Sequence, residues 1–137
     1  SYGVSNFDVE DMEEATQVNG GNAITTNQVL YNLMRRGIEW NLLPWCRQRM
    51  IPIMAYSPIE QGRLLNHRSL QAIAKARGVT TAQVAIAWLL HQEEIIVIPK
   101  SSRIEHIKQN FAALDLTLNA DELATLNTAF PPPTKPM

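Results

Sequence analysis

An α/β chain built on a parallel sheet follows from three features of the sequence. Short apolar, β-branched runs recur, most clearly at 51–56 and 95–98, as in strands covered on both faces. Between them lie segments with apolar residues at helical spacing, such as Val84, Ala85, Trp88 and Leu89. Polar loops punctuate the alternation, so that strand, loop and helix repeat in four units. Such units assemble as a small doubly wound sheet or as half of a (β/α)8 barrel, whose full form takes about 250 residues. Four units in 137 residues, with a first strand already ending at Ser5, favour the half barrel as a single partial domain over 1–137.

The elements follow in order. A strand over 3–5 leads to a helix from Asp8, its N-cap, to about Val18, with acidic residues in the first turn. Asn19-Gly20-Gly21-Asn22 ends it with residues that tolerate positive φ. A second strand is expected over 26–31, then a short helix from an Asn41 cap through Gln48, with Pro44 in its first turn. The third strand, 51–56, precedes a loop over 57–66. Ser69 is expected to cap a helix ending at Arg77 before Gly78, and Thr81 to begin another over 82–92. After the strand at 95–98, Ser102-Arg103-Ile104-Glu105 has capping-box spacing ahead of a helix to Leu114. A last helix runs from an Asn119 cap to Ala129 and is stopped by Pro131-Pro132-Pro133.

Composition narrows the function. A formal net charge of −1 argues against a nucleic-acid partner. No apolar run approaches the roughly 20 residues of a membrane helix, and no signal-peptide pattern is visible. Cys46, the single cysteine, allows no internal disulfide and suits a reducing cytosol, so a cytoplasmic location is expected. His67, His91 and His106 are too scattered to suggest a metal site. The chain opens at Ser1 in what reads as the end of a core strand, and a fragment or cleaved product is expected.

In parallel α/β folds ligands bind beyond the C-terminal ends of the strands. The residues expected there are Ser5-Asn6, Asn27-Gln28, Tyr56-Ser57 and Lys100-Ser101, polar in every case. Ser5, Asn6 and Gln28 offer donors and acceptors suited to a flat amide, and Tyr56 offers a ring to stack on a heterocycle. Lys100, Ser101, Ser102 and Arg103 place two cations and two hydroxyls at a helix start, where anions bind. The same residue types also perform ordinary turn and capping chemistry, so on residue type alone both roles stay open.

Gly3-Val4-Ser5-Asn6-Phe7, Asn27-Gln28-Val29-Leu30-Tyr31-Asn32, Ala55-Tyr56-Ser57-Pro58 and Ile98-Pro99-Lys100-Ser101, in this order and spacing, resemble aldo-keto reductases. Leu42-Leu43-Pro44-Trp45-Cys46 and Asn110-Phe111 look like bacterial members. The resemblance spans essentially the whole chain and implies strands five to eight of a (β/α)8 TIM barrel, its C-terminal half. It implies a parent enzyme that reduces aldehydes or ketones of small molecules with NADPH, without metal or flavin.

By the same resemblance, Ser5, Asn6 and Gln28 would hold the nicotinamide carboxamide and Tyr56 would stack on its ring. Ser57, Ile59, Gln61, Gly62 and Arg63 would run along the pyrophosphate, in a loop that departs from the best-known members. Lys100 and Ser101 would meet the 2′-phosphate, with Ser102 and Arg103 beside them. His106 stands where an arginine is usual, and Gln109-Asn110 where Glu-Asn is usual, so NADPH preference is expected to be weaker and NADH is possible. The family's Tyr proton donor and its Lys, Asp and His helpers lie upstream of strand five. The chain alone is therefore expected to be inactive, with open sheet edges that a second copy could cover. A non-catalytic dinucleotide-binding or regulatory module of the same fold, as in potassium-channel β-subunits, is the competing reading.

Overall fold

The computed structural model describes residues 1–136; Met137, where the expected domain ends, lies outside the described residues. Its sheet has four strands, β1 (Tyr2–Ser5), β2 (Ile24–Leu30), β3 (Ile53–Tyr56) and β4 (Ile95–Ile98), all parallel and hydrogen-bonded in the order β1-β2-β3-β4. That order decides between the two architectures. A doubly wound sheet reverses its strand order part-way, whereas a barrel adds each strand beside the last. The chain is singly wound, as half a barrel must be.

The register sorts the side chains into two faces. Asn27, Ile53 and Ile95 lie side by side, as do Val29, Ala55 and Val97, and this face merges with the main hydrophobic core. Gln28, Met54 and Ile96 form a row on the other face, with Leu30, Tyr56 and Ile98 in the next. Those residues are half-buried, and Ile96 is 47% exposed. Ser5 pairs with Gln28, so it joins the open face.

The helices are α1 (Val9–Gln17), α2 (Leu42–Gln48), α3 (Arg68–Arg77), α4 (Thr81–His91), α5 (Ile104–Ala112) and α6 (Ala120–Ala129). Asp8 caps α1, and with Asp11 it completes a reciprocal capping box. Thr80 and Gln83 do the same for α4, whose Val84, Ala85, Ile86, Ala87, Trp88 and Leu89 are all buried. Trp88 holds two partners: Tyr31 meets it edge-on at 5.6 Å, and the Arg36 guanidinium sits 5.0 Å over its ring. Arg36 also grips Glu39 and donates to Asn127 and the Phe130 carbonyl, which fastens the end of α6 to the loop after β2. Burial, with the hydrogen bond to Glu39, pushes the Tyr31 phenol far above its usual range.

Several expected boundaries move, each for a local reason. β2 starts two residues before the expected Thr26, because Ile24 already pairs with Tyr2. β3 starts at Ile53 rather than Ile51: Pro52 has no N–H to give, and the Ile51 amide is spent on the Cys46 carbonyl at 3.0 Å. His67, not Ser69, caps α3, its Nδ1 accepting from the Ser69 amide at 3.2 Å. The capping box expected from Ser102 and Glu105 does not form. The α5 N-cap is Arg103, and the Ser101 hydroxyl takes the Arg103 amide instead. α5 ends at Ala112, followed by a 3-10 turn over Ala113–Asp115 rather than running to Leu114 as one helix. Asn41 occupies the cap of α2 without a side-chain hydrogen bond.

Two glycines separate space from conformation. A Cβ on buried Gly21 would land on the Ala15 carbonyl and the Thr16 backbone, which leaves no room for any side chain. Gly78 is left-handed, at φ 65°, with nothing nearby. Gly21→Ala is expected to cost about 3 kcal/mol or more through overpacking, and Gly78→Ala only about 1 kcal/mol through backbone strain. Urea denaturation of the two variants checks the order; a larger loss for Gly78→Ala would contradict this packing.

Candidate functional site

The open face of the sheet and the loops beyond its C-terminal edge carry an unusual backbone. Non-glycine residues with positive φ are Asn6, Met50, Ser57, Glu60, Gln61 and Glu94. Met50 and Glu94 lie ahead of β3 and β4, at the far end. The other four follow β1 and β3 at the ligand end, joined there by Gly62 at φ 92°. Such conformations cost about 1–3 kcal/mol each and persist only where surrounding bonds enforce them.

At β1 the enforcing group is Asn27. It is fully buried, and it closes both ends of its amide on one residue: Nδ2 donates to the Phe7 carbonyl at 2.9 Å, and Oδ1 accepts the Phe7 amide at 3.4 Å. Asn6 is thereby held left-handed, with its own amide on the Gln28 carbonyl at 2.9 Å. The Asn6 side chain then bridges two strand ends: Nδ2 donates to the Ser5 hydroxyl at 3.2 Å, and Oδ1 accepts from the Tyr56 hydroxyl at 3.0 Å. Ser5 in turn donates to the Gln28 carbonyl at 3.2 Å. Ser5, Asn6 and Tyr56 thus form one hydrogen-bonded set. The Gln28 carboxamide stands level with Ser5 and has no hydrogen-bond partner among the described residues. One expectation is corrected here: Asn27 and Gln28 do not close their strand but sit inside β2, and Gln28 reaches the site because β1 ends opposite it.

Beyond β3, the segment with Ile59, Gln61, Gly62 and Arg63 folds as an irregular 3-10 stretch, Glu60–Asn66, with non-helical backbone at Gln61 and Gly62. Asn32, fully buried after β2, uses all four of its hydrogen-bonding positions to hold it. Oδ1 accepts the amides of Met34 and Arg35; Nδ2 donates to the Ser57 carbonyl at 2.9 Å and to Glu60 Oε2 at 2.7 Å. Arg35 Nε donates to Glu60 Oε1 at 3.0 Å, and Arg63 stands 3.9 Å from the same oxygen. Burial alone would raise the Glu60 carboxyl, but the hydrogen bonds from Asn32 and Arg35 and the charges of Arg35 and Arg63 bring it below its ordinary range.

Beyond β4, the Ser101 hydroxyl is committed to a local turn with Arg103. No side chain caps α5, which leaves the amides of its first turn without a side-chain partner among the described residues. Lys100 and Arg103 make no ion pair among the described residues. Ser102 and His106 are exposed. Gln109 ties α5 to α4 through its carbonyl, which accepts from Gln83 Nε2 at 3.0 Å. Asn110 lines an apolar groove with Ile107, Phe111 and Leu114, so its surroundings are less polar than a nucleotide contact would suggest. No cluster of metal-binding side chains occurs among the described residues. Cys46 is buried, and burial pushes its thiol up to about 11, which leaves it unreactive.

A profile of the aldo/keto reductase family matches residues 1–130. The chain belongs to that family. It is 47% identical to methylglyoxal reductase YeaE of Escherichia coli K12, over 96% of this chain and 48% of that protein. It is 33% identical to methylglyoxal reductase DkgB of Escherichia coli O157:H7, over 88% and 44%. A crystal structure of an aldo/keto reductase from Klebsiella pneumoniae, in complex with NADP and acetate, superposes with a TM-score of 0.96 at 46% identity, covering 98% of this chain and 50% of that one. The chain spans about half the length of the curated relatives it matches, and its four parallel strands with their helices correspond to part of the family's (β/α)8 barrel. No helix among the described residues is long and apolar enough to cross a membrane.

Sequence reading missed Glu60, Asn32 and Arg35, and took Asn27 for a strand end. A signal for Asn27 was present: it alternates with Val29 and Tyr31, so the period of two places an amide in the core. Nothing comparable announces Glu60, whose burial depends on a partner 28 residues away. Asn27→Asp, which puts a second acceptor opposite the Phe7 carbonyl, is expected to destabilise the protein by about 2–3 kcal/mol near neutral pH. A loss under 0.5 kcal/mol on urea denaturation would contradict the assigned role. Glu60 has a depressed pKa in the folded state, so its contribution is complete above the ordinary carboxylate value of about 4.3. It is lost as pH falls through the lower folded value. The stability difference between wild type and Glu60→Gln should therefore stay flat from pH 8 to 5 and shrink only in more acid solution.

Proposed function

We propose that this chain supplies the cofactor-binding half of an NADPH-dependent reductase acting on aldehyde or ketone groups of small molecules. The observation that carries the reading is the pre-bonded set Ser5, Asn6 and Tyr56, with the free Gln28 carboxamide beside it. Its donors and acceptors suit the carboxamide of a nicotinamide, and the Tyr56 ring, fixed through its hydroxyl, offers a face for stacking. At the other strand end, unpaired Lys100 and Arg103 beside the uncapped start of α5 suit a phosphate. Between them Ile59, Gln61, Gly62 and Arg63 would follow the pyrophosphate, with Ser57 at the head of their loop and Ser101, Ser102 and His106 near the 2′-phosphate. Gln109 and Asn110 would border the adenine. Further support comes from the Klebsiella relative in complex with NADP and from methylglyoxal reductases among the similar proteins.

The nicotinamide would supply hydride to the carbonyl carbon. This chain's residues would hold the ring in place, keep one face open towards substrate, and neutralise the phosphates. The carbonyl oxygen must be protonated as hydride arrives, and the acid for that step would come from the family's upstream Tyr, outside this chain. The chain by itself is then inactive, and the edges of β1 and β4 would be covered by the remaining strands of a barrel or by a second copy. A cytoplasmic enzyme fits this reading.

The test is a titration of the protein with NADPH and NADH, followed by tryptophan quenching. NADPH is expected to bind more tightly, by a modest factor. Lys100→Ala should weaken NADPH by about tenfold while changing NADH by less than about twofold. Equal losses for both cofactors would place Lys100 away from the 2′-phosphate, and no binding of either would end the dinucleotide reading.

A further inference from the structure

We propose that Glu60 is a positioning residue for the dinucleotide: clasped by Asn32 and Arg35, it holds the loop after β3 in its left-handed form and leaves Arg63 free to turn to a ligand phosphate. The inference rests on the nucleotide reading above and extends it to residues that touch no ligand.

Three observations carry it. First, the loop is held from outside itself. Ser57, Glu60 and Gln61 are all left-handed without being glycine, and the turns the loop closes on itself, such as the Glu60 and Gly62 amides on the Ser57 and Ile59 carbonyls, are local. The bonds that anchor it come from Asn32 and Arg35, in the loop after β2. The carboxylate therefore joins the two loops that flank Tyr56 and fixes where Ile59 to Arg63 lie.

Second, the Glu60 side chain is only 9% exposed but its cations are not buried. Arg35 and Arg63 side chains are 52% and 68% exposed. A buried charge needs its hydrogen bonds filled, and here Asn32 fills one oxygen and Arg35 the other. Arg63 is surplus: it approaches to 3.9 Å without a hydrogen bond, so it can leave without orphaning Glu60.

Third, the charges do not cancel. One carboxylate faces two guanidiniums, which leaves a net positive charge at the mouth of the loop. With Lys100 and Arg103 also unpaired, the excess lies where an extended anion would pass. A loop that needed only to be stable would be served by one cation.

The experiment uses the intact protein with Glu60→Gln, Glu60→Ala and Arg35→Met, and with Arg77→Met as control. Arg77 makes a comparable ion pair with Glu122 far from this loop. Backbone hydrogen exchange over residues 57–66, without ligand, reads the clasp. Equilibrium affinities for NADPH and NADH read its consequence. Both Glu60 variants should exchange faster in this segment and raise Kd for NADPH and for NADH alike by about tenfold, since the two share the pyrophosphate this loop would meet. Arg35→Met, at a half-exposed position, should move both readouts in the same direction by a smaller factor, because Asn32 still holds the other oxygen, and Arg77→Met neither. Unchanged exchange in the Glu60 and Arg35 variants overturns the clasp. Faster exchange with unchanged NADPH affinity overturns the positioning role. A wild-type protein that binds no NADPH overturns the nucleotide reading and the ligand part of this inference with it, whatever the exchange data show.

Discussion

Right-handed crossovers between neighbouring parallel strands commit every connecting helix to the same side of the sheet. Because β1, β2, β3 and β4 follow one another in space as in sequence, that constraint gives one face to the core and leaves the other open. Everything polar and functional in this chain depends on that division. Val29, Ala55 and Ile53 are buried because their register puts them under the helices. Gln28, Tyr56 and Ser5 are accessible because theirs does not. A one-residue slip of β2 would exchange the two sets, burying the Gln28 amide and exposing Val29.

The buried polar residues make the division useful. Asn27, Asn32 and Glu60 are the buried polar side chains among the described residues, and each ties a loop at the C-terminal end of the sheet to something rigid. An unpaired amide or carboxylate in such a place would cost several kcal/mol. These are matched bond for bond, so the penalty for disturbing them falls on any other loop conformation. That is how irregular, left-handed backbone survives at Asn6, Ser57, Glu60 and Gln61. The cost of polar burial is converted into a fixed geometry at the site.

Much of this was legible in the sequence, and what was not has a common cause. The strand at Ile95–Ile98 and the caps at Asp8 and Asn119 are local signals, settled by residues within three positions of one another, and they appear as expected. So does the parallel α/β class, which rests on alternation rather than on any single contact. The misreadings arise where a local rule meets a competitor. Ser69 has the right chemistry for a cap, but His67 precedes it and takes the amide first. Ser102 has the right spacing to Glu105, but Ser101 reaches the Arg103 amide. Pro52 silently removes two residues from a run that reads as continuous strand. The clasp around Glu60 needed contacts 25 and 28 residues apart, which no window-based reading can weigh. The resemblance to aldo-keto reductases proposed roles for residues where periodicity could not, and the family match supports its choice of fold.

The two ends of the proposed site differ in a way that bears on recognition. At the β1 and β3 ends the polar groups are already bonded to one another, through Ser5, Asn6 and Tyr56. A ligand amide arriving there meets side chains with little rotameric freedom left to lose, which favours affinity and orientation together. At the β4 end Lys100 and Arg103 are long, unpaired and solvated, and ordering them on a phosphate costs side-chain entropy that offsets part of the Coulomb gain. Orientation of the reacting ring would therefore be set by the rigid end, where an error of an ångström matters for hydride transfer. Discrimination between phosphorylated and unphosphorylated dinucleotide would be left to the solvated end, where charge matters more than exact position. An imidazole at His106, in the first turn of α5, would grip a phosphate less firmly than a guanidinium, so selectivity could change at that end without disturbing the geometry of the chemistry.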